Sequence, residues 1–285
     1  MNRLRIAVQA KGRLNDKSMK LLEDAGIKVD VGSRKLLAEA SGFPLEVLFL
    51  RDDDIPLSVQ DGVADIGVVG ENELSEKGAK VEVVRELGFG KCRLSLAIPR
   101  SENYMGLEWF NGKVVATSYP KILSRYFADK GVKASIHEIS GSVEVAPSIG
   151  MSDAIFDIVS SGSTLVKNRL KEVEVTMRSQ AVLLANSNMS EEKRQILDKL
   201  QFRLNAVQSA KDKKYVLLNI PSNKVEQVIE ILPGMTSPTV MPLARKGWSS
   251  VHSVIDDESF WDVIDKLKEA GAEGILVSDI EKLIL

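Results

Sequence analysis

Short apolar runs alternate with amphipathic stretches along almost the whole chain. Arg5–Gln9 (RIAVQ), Leu45–Leu50 (LEVLFL) and Ile66–Val69 (IGVV) have the length and composition of buried strands. Between them a helix is expected near Lys17–Ala25, stopped by Gly26, and Asp54 with Pro56 opens a shorter one. Strand, helix and strand in that order require a crossover, hence a parallel sheet. This first lobe is assigned to residues 1–90.

After Gly88-Phe89-Gly90 the alternation restarts. Strands are expected at Arg93–Ile98, Lys113–Thr117 and Ser135–Ile139. Helices are expected over Tyr119–Lys130, ended by Gly131, and over Ser152–Val159. Residues 91–179 form the second lobe. Ala181–Ala185 reads as a strand returning from it, and a long helix follows Ser190, a good N-cap with Glu191 and Glu192 in the first turn. The returning segment, about 180–210, belongs with the first lobe. Two α/β lobes with crossing connections create a cleft, the usual place for a ligand.

Residues 211–285 form a third unit. Tyr215–Ile220, Thr239–Leu243, Val251–Ile255 and Gly274–Ser278 are strand-like. Val225, Val228, Ile229 and Leu232 share one helical face, as do Phe260, Val263, Ile264 and Leu267, with Ser259 and Asp262 as a capping-box-like start. The order βαββαβ is ferredoxin-like. The predicted fold class is therefore α/β, with two lobes around a cleft and a ferredoxin-like C-terminal domain.

Composition narrows the functions open to such a chain. Its 285 residues carry a net charge of -2, so no global basic field attracts nucleic acid. One cysteine, Cys92, excludes an intramolecular disulfide framework and fits a reducing cytoplasm; it reads as a small core residue. The N-terminal apolar run is broken by charges and lacks a signal-peptide core, and no run reaches membrane-spanning length, so a cytoplasmic protein without a membrane partner is expected. Two histidines, His137 and His252, leave little room for a zinc site or a Ser-His-Asp triad.

The richest chemistry lies in Glu138–Leu165. Asp153 and Asp157 stand four residues apart, and on the predicted helix they would face the same way and repel. A cation or sugar hydroxyls would offset that cost. Ser160-Ser161-Gly162-Ser163-Thr164 follows, a turn of hydroxyls and backbone N–H groups suited to phosphate. Together they point to a phosphorylated sugar with a divalent metal held at Asp153 and Asp157, directly or through the substrate. Taken singly, Asp153 is also an ordinary first-turn acid and Asp157 a solvated one.

Lys11, Arg13 and Arg51 follow strand ends, where ligands of parallel sheets gather. Arg13 and Arg51 are assigned to anion binding; Arg34 and Lys35 read as solvated charges. Glu71 and Asn72 follow another strand end. Tyr119 either stacks on a base, donates from its hydroxyl, or simply packs. Trp248 and Trp261 read as core. No Walker A motif is present, and Gly67-Val68-Val69-Gly70 lacks the rest of a dinucleotide fingerprint.

With these residues assembled, the chain resembles the long-form ATP phosphoribosyltransferase family. The resemblance spans KGRL (Lys11–Leu14), RDDDIP (Arg51–Pro56), ADIGVVGEN (Ala64–Asn72), CRLSLAIP (Cys92–Pro99), ATSYP (Ala116–Pro120), GSVEVAP…DAIFDIVSSGSTL and GILVSDIEK (Gly274–Lys282). It implies lobes like those of periplasmic binding proteins, joining of ATP to phosphoribosyl pyrophosphate with Mg2+, and a C-terminal domain that binds histidine and inhibits. It also implies a homo-oligomer, with dimers assembling into hexamers. By resemblance, Asp153 and Asp157 hold the ribose hydroxyls, Ser160–Thr164 the 5′-phosphate, and Lys11, Arg13, Arg51 and Glu71 the nucleotide and pyrophosphate, with Tyr119 nearby and Ala154 among the substrate-binding residues. Met235, Thr239 and Ser278 are the implied histidine contacts. The turn reads SSGST where many members have Thr-Gly-x-Thr, and Ser161 keeps the hydroxyl. Two rivals stand beside this reading. Prephenate dehydratase has a similar plan, but its Thr-Arg-Phe motif is absent here. The other is a non-catalytic ligand sensor or solute-binding protein.

Overall fold

In the computed structural model, which describes residues 3–30, 36–232 and 237–285, the apolar runs of the first lobe become a mixed sheet with a parallel centre and antiparallel flanks. Its elements are β1 (Leu4–Gln9), α1 (Arg13–Asp24), β2 (Lys28–Val29), β3 (Leu37–Ser41), β4 (Leu45–Leu50), α2 (Ile55–Gln60), β5 (Ile66–Gly70), α3 (Glu71–Lys77) and β6 (Glu82–Glu86). The chain then enters the second lobe: β7 (Cys92–Pro99), β8 (Val114–Thr117), α4 (Pro120–Lys130), β9 (Ser135–Glu138), β10 (Ala154–Val159), α5 (Ser163–Lys167) and β11 (Leu170–Ser179). It returns as β12 (Ala181–Ala185) and α6 (Glu191–Ala210).

The first sheet runs β2-β3-β4-β1-β5-β12-β6. β5 and β12 are interior strands of it and apolar on both faces, which is why they read as unbroken hydrophobic runs. Gly67 of β5 lets α2 lie against the sheet: a Cβ there would stand 2.7 Å from Ile55 and 2.8 Å from Val59. Ser190 caps α6 as expected, its Oγ accepting from the Lys193 N–H at 3.4 Å.

The second sheet runs β11-β7-β10-β8-β9, with β10 central, antiparallel to β7 and parallel to β8. This corrects the helix expected over Ser152–Val159. Ala154, Ile155, Phe156 and Val159 are all buried, as a central strand covered on both faces requires. A spacing of four satisfies the strand period of two as well as the helical period, so Asp153 and Asp157 could not distinguish them. β11, unassigned from sequence, is an edge strand whose charged positions hide its period.

The contacts divide the chain into two units, one of residues up to Glu23 with Ile27–Ile196, the other of Asp24–Gly26 with Leu197–Leu285. The second contains β13 (Lys213–Pro221), α7 (Val225–Ile231), β14 (Thr239–Pro242), β15 (Trp248–Asp256), α8 (Asp257–Glu269) and β16 (Glu273–Asp279). Its antiparallel sheet runs β14-β15-β13-β16, the ferredoxin-like order. Val216, Leu218, Val251, Phe260 and Leu267 meet in its core. Two details differ from expectation. α8 starts after Asp256, so Ser259 and Asp262 lie inside it. Trp261 is 73% exposed, and Trp248 is half-buried with the Arg245 guanidinium 4.1 Å from its ring centre. Among the described residues no helix is long and apolar enough to cross a membrane.

Candidate functional site

β10 carries Asp157 near its end and delivers the chain into the hydroxyl turn. Gly162, at φ +79°, supplies the left-handed conformation that reverses the chain into α5. The Ser161 hydroxyl donates to Ser163 Oγ at 3.1 Å and accepts from the Ser163 N–H at 3.4 Å, so the turn is internally braced. Asp157, Glu144 and all of Ser160–Thr164 line one cavity of about 240 Å³, and Arg13, the first residue of α1, lines it from the other lobe. Burial pushes the Asp157 carboxyl up to about 6; its own bond from the Ile158 N–H, 2.7 Å, works against that shift, and the Glu144 charge adds to it.

A second cavity, of about 350 Å³, shares Arg13, Ile158 and Ser160 with the first. Gln9, Lys17, Asp52, Asn72 and Glu73 line it from the first lobe, together with Lys91 and Cys92. Cys92 is thus half-buried at a cavity wall rather than fully in the core, and burial raises its thiol pKa. Behind the wall lies a buried polar network. Tyr119 Oη donates to Glu73 Oε1 at 2.8 Å, and Asn72 Nδ2 contacts Tyr119 Oη at 3.3 Å and Glu73 Oε1 at 3.2 Å. Ser179 Oγ donates to Asn72 Oδ1 at 2.8 Å. Burial raises both the Glu73 and the Tyr119 pKa; the Tyr119 hydroxyl bond partly stabilises the Glu73 carboxylate.

The fold therefore brings together Arg13, Asp157 and Ser160–Thr164, and sets Tyr119 one hydrogen bond behind the adjoining cavity. It does not bring Asp153 there. Asp153 lies just before β10, about 13 Å along the strand from Asp157 at strand rise. Its carboxylate accepts from the Val114 N–H at 2.8 Å and pairs with Lys113 at 3.5 Å. That use offsets its charge without any sugar or metal. Ala154 is fully buried at the same end. Lys11 is exposed beside the Gly12 turn. Arg51 is exposed and pairs with Asp53 at 3.5 Å. Glu71 accepts from the Gln180 N–H at 3.2 Å, where the chain returns to the first lobe. None of these four lines either cavity. Thr239 and Ser278 sit on the two opposite edge strands of the C-terminal sheet, about 14 Å apart at the usual strand spacing. Met235, Arg34 and Lys35 lie outside the described residues.

Sequence reasoning passed over Glu73 and Glu144. Glu73 falls in ENELSEK, where three glutamates in a seven-residue helix look like solvated charge. The available signal was position: α3 starts directly at the end of the buried strand β5.

Residues 51–206 match the ATP phosphoribosyltransferase (HisG) family, and residues 210–282 match its C-terminal domain. An ATP phosphoribosyltransferase from Bacteroides fragilis is 63% identical over 282 residues, covering 99% of this chain and 100% of that protein. One from Cytophaga hutchinsonii is 57% identical over 281 residues, covering 99% and 98%. Among solved structures, the ATP phosphoribosyl transferase (HisG:HisZ) complex from Thermotoga maritima aligns with a TM-score of 0.62 at 30% identity, over 70% of this chain and 96% of that one. With a shared fold and near-complete coverage at these identities, the chain belongs to the ATP phosphoribosyltransferase family, which transfers phosphoribosyl to ATP in the first step of histidine biosynthesis.

Proposed function

We propose that the 240 Å³ cavity holds the phosphoribosyl half of phosphoribosyl pyrophosphate and the adjoining 350 Å³ cavity holds part of ATP. Ser160, Ser161, Ser163 and Thr164 donate to the 5′-phosphate. Asp157 accepts from ribose hydroxyls. Arg13 faces both cavities and neutralises the departing pyrophosphate. The observation that carries this reading is the convergence of one arginine, two half-buried carboxylates and the hydroxyl turn on a single cavity, drawn from both lobes.

Adenine N1 already has a free lone pair, so attack on ribose C1 requires no general base. The barrier lies in charge: a cation-like ribose forms as pyrophosphate leaves, and positioning with fixed charge lowers it. Mg2+ fits this site as a substrate-borne ion. Among the described residues no group of three or more His, Cys, Asp or Glu forms an ion cage, while Asp157 and Glu144 share the cavity as two carboxylate donors. When bound, Mg2+ would stabilise the leaving pyrophosphate. A cytoplasmic location, a homo-oligomer of dimers and hexamers, and histidine inhibition through the C-terminal domain complete the proposal.

The test is the near-ultraviolet absorbance change on mixing ATP, phosphoribosyl pyrophosphate, Mg2+ and enzyme, which N1 ribosylation predicts. Asp157→Asn should lower kcat/KM for phosphoribosyl pyrophosphate by about 10–100-fold, the worth of charged hydrogen bonds. Arg13→Ala should also lower it, whereas Asp153→Asn should leave turnover within a factor of about 3 because its partners are structural. Full activity in Asp157→Asn would remove the ribose assignment.

A further inference from the structure

We infer that Arg93, clamped by Glu172, is a positioning residue that fixes the entry to the hydroxyl turn. The inference rests on the proposal that this turn binds the 5′-phosphate. Arg93 lies on β7 opposite Val159, the last residue of β10. Its Nη1 donates to the Ser160 carbonyl at 3.0 Å. Its Nε and Nη2 donate to the two carboxylate oxygens of Glu172 on β11, at 2.5 and 2.6 Å. Ser95 Oγ, on the same strand as Arg93 and buried, donates to Glu172 Oε1 at 2.6 Å. One guanidinium thus ties three adjacent strands, β11, β7 and β10, at the point where the turn begins.

The geometry gives this clamp a consequence for ligand binding. The Ser160 C=O and the Ser161 N–H belong to one planar trans peptide and point in opposite directions. Holding the carbonyl toward Arg93 therefore fixes the direction of the Ser161 N–H. The bidentate pair with Glu172 leaves the guanidinium plane a single orientation, which a lysine ammonium could not reproduce. Glu172, held below the usual carboxylate range chiefly by the bond from Arg93, stays ionised and keeps the clamp closed at neutral pH. A pre-set turn does not lose backbone freedom when the phosphate arrives, and that lowers the cost of binding.

The test uses the full chain with Glu172→Gln, Arg93→Lys and Ser163→Ala, measuring KM for each substrate and the melting temperature. Glu172→Gln and Arg93→Lys should raise KM for phosphoribosyl pyrophosphate about tenfold, near the worth of one charged hydrogen bond, while KM for ATP moves less than about twofold. A purely structural role predicts a lower melting temperature with both KM values unchanged, and overturns the inference. If Arg93 instead contacts the phosphate directly, Glu172→Gln frees its charge and lowers that KM, which also overturns it. Ser163→Ala separates the two readings. Should it raise KM while the clamp variants do not, only the clamp falls; should it leave KM unchanged, the phosphate turn falls and the clamp's role with it.

Discussion

Asp157 is held in the cavity against its own preference for water. Burial is the largest cause of its rise to about 6, the nearby Glu144 adds to it, and the Ile158 N–H only partly offsets it. A raised carboxyl pKa means that the fold favours the protonated form. Its contribution to stability is fully present below the ordinary value of 3.8 and is lost as pH rises through about 6. At pH 8 the ionised group therefore strains the free enzyme, a cost that ribose hydroxyls would relieve on binding. Asp157→Asn should accordingly melt at a higher temperature than the unaltered chain at pH 8, with the gap closing as pH falls below 6. Thermal melts across that range check it. A variant less stable than the parent at pH 8 would mean that the carboxylate is already well solvated or paired.

Between elements, the junction of the two lobes is made by α3 and α4. The Glu76 carboxylate, buried on α3, accepts from the Lys121 and Ile122 N–H groups, each at 2.9 Å, so a side chain of one lobe caps a helix of the other. Arg125 adds a bond from α4 to the Ser75 carbonyl at 2.9 Å. Glu76→Ala would leave two N–H groups without their acceptor and should cost about 1–3 kcal/mol in urea unfolding, with Glu76→Gln costing less because one oxygen remains. Equal losses in the two variants would show that packing, not capping, is at stake. No sequence pattern announces this cap, because donor and acceptor lie 45 and 46 residues apart. What was legible follows the same physics. β5 and β12 read as strands because unbroken apolar runs fit sheets buried on both faces, and SSGST read as a turn because glycine and hydroxyls break both periods. β10 was misread because its acids matched two periods at once, and Asp153 went with it. Arg13 was legible as a cation after a strand end, but that it meets the turn of the other lobe depends on how the lobes close, which no local pattern encodes.

For the chain as a whole, the contacts set Leu197–Leu285, with Asp24–Gly26, apart from the unit that holds both cavities. The family match places a distinct C-terminal domain at residues 210–282, and the Leu283 N–H donates to the Ala206 carbonyl at 2.8 Å within the same unit. If histidine inhibits from that domain, it does so as a coupling between two sites through at least two global states, commonly about 5–150-fold in affinity. Such coupling is reciprocal. Substrates should weaken histidine binding to the full chain by the same factor by which histidine weakens theirs, which calorimetry can measure directly. A chain ending at Ala210 should keep its turnover, since both cavities are lined by residues before Leu197, and should no longer respond to histidine. Inhibition that persists in the folded truncation would move the histidine site into the catalytic lobes. Loss of turnover without unfolding would instead mean that the C-terminal domain holds the lobes in their working arrangement, and the reciprocal factor in the full chain would then have to include that arrangement's own free energy.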